Sequence, residues 1–262
     1  MRATLDYATA SDETAMLGLR IDNVSMSQAL DWIMRKLDGE IFHQISFLNA
    51  DCVNQACRDS KYREILNRSS RVFADGVGLR WGCKLLGHEI RENVNGTDLF
   101  PLLCERLRGT GKRLFLLGAA PGVAEDVRYW VETNYPGVIV CGTRHGFFTP
   151  DEEPEVLKSI AESHADLLLV AMGVPRQEKW IARAAAASGV KVAVGVGGLF
   201  DFYSGRIPRA PKWLRELSLE WTYRLYQEPR RMWRRYLIGN FVFLWRVFKE
   251  RTNRLPEIAE AQ

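Results

Sequence analysis

No run of about 18 apolar residues occurs in the 262-residue chain, so no segment is expected to cross a bilayer as a helix. The chain has few cysteines: Cys52, Cys57, Cys83, Cys104 and Cys141. The number is odd and no CxxC pair occurs, which argues against a disulfide framework or a zinc ribbon and for reduced, buried thiols. The four histidines are scattered without HxxxH spacing, and no DxD carboxylate pair occurs. A metal site built by the protein is therefore not expected, and no cofactor is implied. The first residues, MRATLDYATASDETAM, carry acids where a secretory leader is apolar, which points to the cytoplasm. No internal repeat or low-complexity linker breaks the chain. With 26% charged, 47% hydrophobic and 11% aromatic residues, disordered and fibrous classes are excluded. A chain of this length buries enough surface to need no covalent staple.

The charge is unevenly spread. Residues 206–254 hold thirteen Lys or Arg and four Asp or Glu, a local charge of +9, while the remainder is −5. Four of the eight tryptophans, Trp213, Trp221, Trp233 and Trp245, fall in the same stretch. The composition shift near Gly205 divides the chain into a body, 1–205, and a basic, aromatic-rich appendage, 206–262.

The body alternates short apolar strands with amphipathic helices. Ser25 and Gln28 form a capping box before a helix to Leu37. Strands are expected at 42–48, 71–73, 113–117, 137–141, 166–171 and 191–195, with helices at 50–58, 60–67, 76–86, 95–108, 122–134 and 149–163, and a turn at 173–178 leading into a helix that ends near Ser188. This is the pattern of an α/β fold: a Rossmann-like, mostly parallel sheet covered by helices on both faces. Such sheets bind ligands beyond the carboxyl ends of their strands.

Several loops at those ends carry polar groups, each with a structural role in competition. Asn49 and Asp51 in FLNAD can reach a ligand or cap a helix. Asp75, between a strand end and Gly76, can serve as a general base if burial raises its pKa, or as a cap. Asn95, Thr97 and Asp98 suit sugar hydroxyls or cap the next helix. Gly118 and Gly122 in GAAPG permit close approach of a phosphate to a helix N-terminus, without matching GxGxxG or GxxxxGK[ST]. In GVPRQEKW, one or two of Arg176, Gln177, Glu178 and Lys179 can face the cleft, or the segment is a solvated turn. Gly197 and Gly198 allow backbone approach, and Asp201 can meet a hydroxyl or cap.

Taken in order, FLNAD (47–51), ADGVG (74–78), NGTDLF (95–100), LFLLGAAPG (114–122), GVPRQEKW (173–180), GVGGLFDFYSG (195–205), RAPKW (209–213) and EWTYRLYQEPRR (220–231) resemble the WecG/TagA/CpsF glycosyltransferases. The resemblance spans about residues 20–240. It implies an inverting enzyme that moves a hexose (N-acetylmannosamine, N-acetylmannosaminuronate or glucose) from a UDP-sugar to a polyprenyl-diphosphate-linked saccharide at the cytoplasmic membrane face, without the paired-acid metal motif. It assigns Asp75 as catalytic base, Gln177 to the donor side, and Arg224, Arg231 and Arg234 to completion of the site. Phe47 stands where many members carry Thr, so a threonine contact to substrate is absent or moved.

Elementary chemistry agrees with that implication. An inverting transfer needs a base for the acceptor hydroxyl and positive charge for the departing diphosphate. Guanidinium groups bind phosphate bidentately, and the arginine supply lies in the appendage. Arg224, Arg231 and Arg234 would share one face of a continuous helix, but Pro229 predicts a break and a fold-back over the site. Residues 236–245 are apolar yet too short to span, and suit the headgroup layer; peripheral attachment to the inner membrane face is expected. The rival structural role is a C-terminal helix packed on the body. Nucleic-acid binding lacks an accompanying motif, and a homo-oligomer is plausible without a readable interface. Two further classes stay open: a non-catalytic membrane-associated scaffold and a nucleotide-dependent oxidoreductase.

Overall fold

The computed structural model describes residues 13–211, 213–214 and 219–259. Two four-residue strands, β1 (Glu13–Met16) and β2 (Leu19–Asp22), pair antiparallel through a turn at Leu17 and Gly18. Both turn residues have positive φ, +51° and +73°. A leucine rarely takes that conformation, so the usual Asn-Gly hairpin signal is missing and this edge pair was not expected from the sequence. There follow α1 (Met26–Leu37), β3 (His43–Leu48), α2 (Ala50–Ala56), α3 (Ser60–Arg68), β4 (Arg71–Ala74), α4 (Val77–Leu85), α5 (Gly96–Leu107), β5 (Arg113–Gly118), α6 (Val123–Asn134), β6 (Ile139–Arg144), α7 (Glu153–Glu162), β7 (Leu167–Ala171), α8 (Arg176–Ala184), β8 (Val192–Gly195) and α9 (Leu199–Tyr203). The expected alternation is present. β6 begins and ends later than the strand expected at 137–141.

Local signals act where the sequence places them. Ser25 accepts from Gln28 N and Gln28 answers with its own side chain, a complete capping box; such a cap contributes about 1 kcal/mol. Thr149 and Glu152 form a second box ahead of α7. All five cysteines are free; Cys52, Cys83 and Cys104 are buried.

The eight strands lie in the order β1-β2-β4-β3-β8-β7-β5-β6, parallel except for β1 against β2. One face is sealed by α1, α5, α6 and α9, whose Leu30, Ile33, Phe100, Leu103, Val127 and Phe200 pack on alternate strand residues such as Ile45, Leu116 and Val194. The other face is covered in two halves. Leu117, Leu168 and Val170 meet α7 and α8, while Leu48, Val72 and Ala74 meet α2, α3 and α4. The chain leaves β3 into α2 on one face and leaves β8 into α9 on the opposite face. These neighbouring strands therefore make a topological switch point, where an open parallel sheet leaves a crevice at its carboxyl edge.

The appendage does break at the proline. Helix α10 (Glu220–Gln227) stops at Glu228, whose backbone leaves the helical region, and α11 (Pro229–Trp233) restarts with Pro229 at its first position. One π-helical turn, Arg234–Ile238, joins α11 to α12 (Gly239–Ala259). Among the described residues, no helix is long and apolar enough to cross a membrane. Helix α12 packs on α2 and α4: Phe243 and Val247 are buried in the same cluster as Met16, Leu79 and Cys83. Gly82 makes this possible, since a Cβ there would come within 2.6 Å of Phe243 Cζ. The appendage thus shares a core with the body.

Candidate active site

At the switch point the strand β4 delivers Asp75. Its backbone N donates to Leu48 O at 2.8 Å, which ties the β4 exit to the β3 exit. Gly76 follows at φ +94°, where a side chain would be strained, and its N donates to Asn93 Oδ1 at 2.5 Å. Asn49 caps α2, accepting from Asp51 N and Cys52 N at 3.1 Å each. The capping role and the ligand-facing role are therefore not exclusive: the same carboxamide offers Nδ2 to Asp75 Oδ2 at 3.4 Å.

Asp75 keeps part of its surface open, yet burial dominates its titration and pushes its pKa up to about 6. The Asn49 contact and the positive charges of Arg235 and Arg224 pull the other way, and Glu220 adds to the rise. A carboxyl near 6 is ionised at neutral pH and basic enough to take a proton.

The loop after β8 carries Gly197 and Gly198, and α9 follows with Asp201, whose Oδ2 would lie 3.7 Å from a Cβ on Gly198. Gly197 N donates to Gln177 Oε1 at 2.9 Å, and Gly173 N donates to the same oxygen at 3.2 Å. Gln177 Nε2 donates to Glu178 Oε1 at 2.7 Å. Gln177 is thus spent inside the protein, 2% exposed, and pins the β7 and β8 exits together from below. Its neighbours point away from the crevice: Arg176 lies over the Phe148 ring, and Lys179 pairs with Asp59 at 2.5 Å. Both line a separate groove of about 1000 Å³ between α3 and α8 that contains neither Asp75 nor an appendage arginine.

The remaining expected residues form a flank. Asn95 caps α5 and also holds Asp98 Oδ2 at 2.7 Å; Asp98 in turn pairs with Arg209. Thr97 offers its carbonyl to Tyr203 Oη at 2.6 Å. Asp201 supplies its carbonyl to Ile207 N at 2.9 Å. Gly118 is required at φ +139°, with a hypothetical Cβ 2.5 Å from Ala171 O. The GAAPG turn sits two strands from β8, about 10 Å at the ~4.8 Å spacing of a sheet. Glu125 and Asp126 already face the dipole of the helix it starts. Phe47 is core: 7% exposed, against Phe73 and beneath Gly96. The residue in place of the family threonine fills volume and does not face the crevice.

The appendage places two arginines against these loops. Arg224 lies over the Phe202 ring at 5.0 Å, with Nη2 seated above Gly198. Arg235 Nε lies 3.2 Å from Asp51 Oδ2, close enough for an ion pair but not aligned for a hydrogen bond. Arg234 is exposed and stacks on Trp233 instead. The Arg231 side chain lies outside the described residues. The family resemblance points to Arg224, Arg231 and Arg234, whereas the arginine placed against Asp51 is Arg235. Arg235 lies in the π turn, whose Gly239 N–H bonds to Arg234 O, five residues back, which alters the phase of the following helix.

A doubly wound sheet with a carboxylate of raised pKa at its switch point and guanidinium groups above it suits group transfer on an anionic substrate. The chain belongs to the glycosyl transferase WecG/TagA/CpsF family, whose sequence model matches residues 14–257. It is a glycosyltransferase. It is 32% identical over 216 residues to the N-acetylglucosaminyldiphosphoundecaprenol N-acetyl-beta-D-mannosaminyltransferase of Bacillus subtilis (strain 168), covering 82% of this chain and 83% of that protein. The protein of the same name from Staphylococcus aureus (strain MRSA252) is 28% identical over 242 residues, 92% of this chain and 94% of the relative.

Proposed function

We propose that the chain transfers an N-acetylmannosaminyl group from its UDP donor to the sugar of an N-acetylglucosaminyl-diphosphate-polyprenol. The relatives' names supply the donor sugar and the acceptor. The observation that carries the chemistry is Asp75 in the crevice, with Arg224 and Arg235 above it.

Asp75 accepts the proton of the acceptor hydroxyl. The freed oxygen forms a bond to the anomeric carbon as the bond from that carbon to the UDP oxygen breaks, with inversion, and the electron pair leaves on the diphosphate. Arg224 Nε is buried without a hydrogen-bond acceptor among the described residues, and Arg235 Nε is buried with only the unaligned contact to Asp51. A buried guanidinium N–H without a partner is costly, and a diphosphate oxygen satisfies it at the moment its charge develops. Arg231 and Arg234 remain expected contributors from the family resemblance; Arg234 would have to turn inward from Trp233. Asn49 orients the base, and Gln177 holds the β7 and β8 loops that form the donor side.

The acceptor's lipid brings the enzyme to a membrane surface. Leu237, Ile238, Phe241, Trp245 and Phe248 are exposed on the appendage, opposite the Phe243 and Val247 stripe that docks on the body. Arg234, Lys249 and Arg251 flank them, so the face combines aromatic anchors with cations suited to anionic headgroups. This supports peripheral attachment on the cytoplasmic side.

The test is a donor screen with N-acetylglucosaminyl-diphosphate-polyprenol in anionic vesicles, measuring UDP release and the product's mass. UDP-N-acetylmannosamine should give product one N-acetylhexosamine heavier. Product with UDP-glucose alone would reassign the donor, and UDP release without a glycosylated lipid would reject the acceptor.

A further inference from the structure

Helix α2 carries more of the appendage than any other part of the body, and it does so directly beside the base. Asn54 Nδ2 donates to Gly239 O at 2.7 Å, closing the π turn onto α2. Arg246 Nη1 donates to Asn54 O at 3.2 Å from about two helical turns further on. Between these backbone ties and Asp75 stands the ion pair of Asp51 and Arg235. Gln55 Nε2 donates to Asp51 Oδ2 at 3.1 Å and so fixes the carboxylate that receives the arginine. Asp51 N is itself held by Asn49, the residue that touches Asp75.

Resting on the proposed transferase reading, we infer that Asp51 is a positioning residue: its ion pair with Arg235 fastens the folded-back appendage to α2 and holds that arginine's positive charge beside Asp75. The pair is half-buried on both sides, with 32% of the arginine and 28% of the aspartate side chain exposed, so solvent screens it less than a surface bridge. Its geometry is a single off-axis contact rather than a bidentate fork. That leaves guanidinium N–H groups available when a diphosphate arrives, while the carboxylate still keeps the arginine on the correct side of the cleft.

The charge beside Asp75 has a readable consequence. Arg235 and Arg224 favour the ionised form of Asp75, Glu220 opposes it, and burial is the largest influence. Arg235 also faces Asp51, Cys52 and Tyr236. Removing the Arg235 charge therefore raises the pKa of the base, whereas a role in packing alone leaves it in place once folding is intact.

The experiment uses full-length chain with four variants: Arg235→Met, Arg235→Lys, Asp51→Asn and the double Asp51→Asn/Arg235→Met. Transfer is followed as kcat and KM from pH 5 to 9 with the lipid acceptor, and amide exchange is followed across 239–250. Arg235→Met should move the acid limb of kcat upward by about 0.5–1 pH unit and lower kcat about 10–100-fold. Arg235→Lys should keep the limb near its wild-type position. Asp51→Asn and Arg235→Met should each speed exchange in 239–250, and the double variant should be no worse than Arg235→Met alone. An unmoved limb in a folded Arg235→Met, or losses that multiply in the double variant, overturns the inference. Exchange in 239–250 unchanged by both single substitutions overturns it as well, whatever the activity. If the wild-type chain transfers no sugar, the transferase reading fails, and the exchange measurements still decide whether the pair fastens the appendage.

Discussion

Gly198 lies directly beneath the guanidinium of Arg224: a Cβ at that position would come within 2.7 Å of Nη2. The backbone of Gly198, at φ −83° and ψ 18°, suits any residue, so only the space above it demands glycine. Gly198→Ala should therefore fold normally and displace Arg224 from its seat over Phe202. We expect kcat to fall about tenfold, with the melting temperature nearly unchanged; steady-state kinetics beside thermal unfolding checks this.

Asp75 should impose an acid limb near pH 6 on kcat, because the base works only when ionised. Asp75→Asn should lower transfer by about 10³-fold or more while vesicle binding persists. The same burial costs stability. The folded-state pKa lies above the unfolded value of 3.8, so the folded state holds the proton longer, and stability falls as pH rises from about 4 through about 6. Asp75→Asn removes that penalty, which is on the order of 1–3 kcal/mol. Its melting temperature should exceed the wild type's at pH 8 and match it at pH 4.

Glu178 is fully buried beneath Gly195, and burial pushes its pKa up to about 7. The direction is again upward, so its contribution turns unfavourable as pH rises above the unfolded value of about 4.5 and is complete above about 7. Glu178→Gln keeps an acceptor for Gln177 Nε2. It should raise the melting temperature at pH 8 more than at pH 5, with transfer retained; unfolding curves at the two pH values test it.

In the proposed transfer, Arg224 and Arg235 supply the positive charge that meets the departing diphosphate. Chelation with EDTA should then leave turnover within about twofold of its starting value. Loss of turnover with EDTA and recovery on adding manganese would contradict that assignment.

The exposed face of α12 predicts a separation of binding from chemistry. Replacing Phe241, Trp245 and Phe248 together by Ser touches residues 74%, 57% and 61% exposed, so folding should be unaffected. At about 1.5–3 kcal/mol per fully buried aromatic side chain, co-sedimentation with anionic vesicles should weaken at least tenfold. Phe243→Ala, on the opposite face, should instead destabilise the fold by about 3–5 kcal/mol.

Most of the fold was legible in the sequence because its signals are local. Ser25 and Gln28, Thr149 and Glu152, and the apolar runs of β5 and β7 announce their elements within a few residues. The β1–β2 hairpin was not legible, since Leu17 takes a turn conformation that its side chain disfavours. At the site, the position of Asp75 after a short strand was readable. The inward commitment of Gln177 was not, because Gly173 and Gly197 meet it only through the packing of β7 beside β8.

By itself the sequence determined an alternating α/β body and a proline-broken basic appendage. These follow from periodicity, caps and composition, which need no knowledge of distant neighbours. Only the tertiary structure decided which arginine reaches α2. The docking of Phe243 against Gly82, with Asn54 bonded to Gly239 and Arg246, fixes where the appendage lies on α2. That docking depends on contacts between residues some 160 positions apart (Gly82 and Phe243), and no local pattern encodes it.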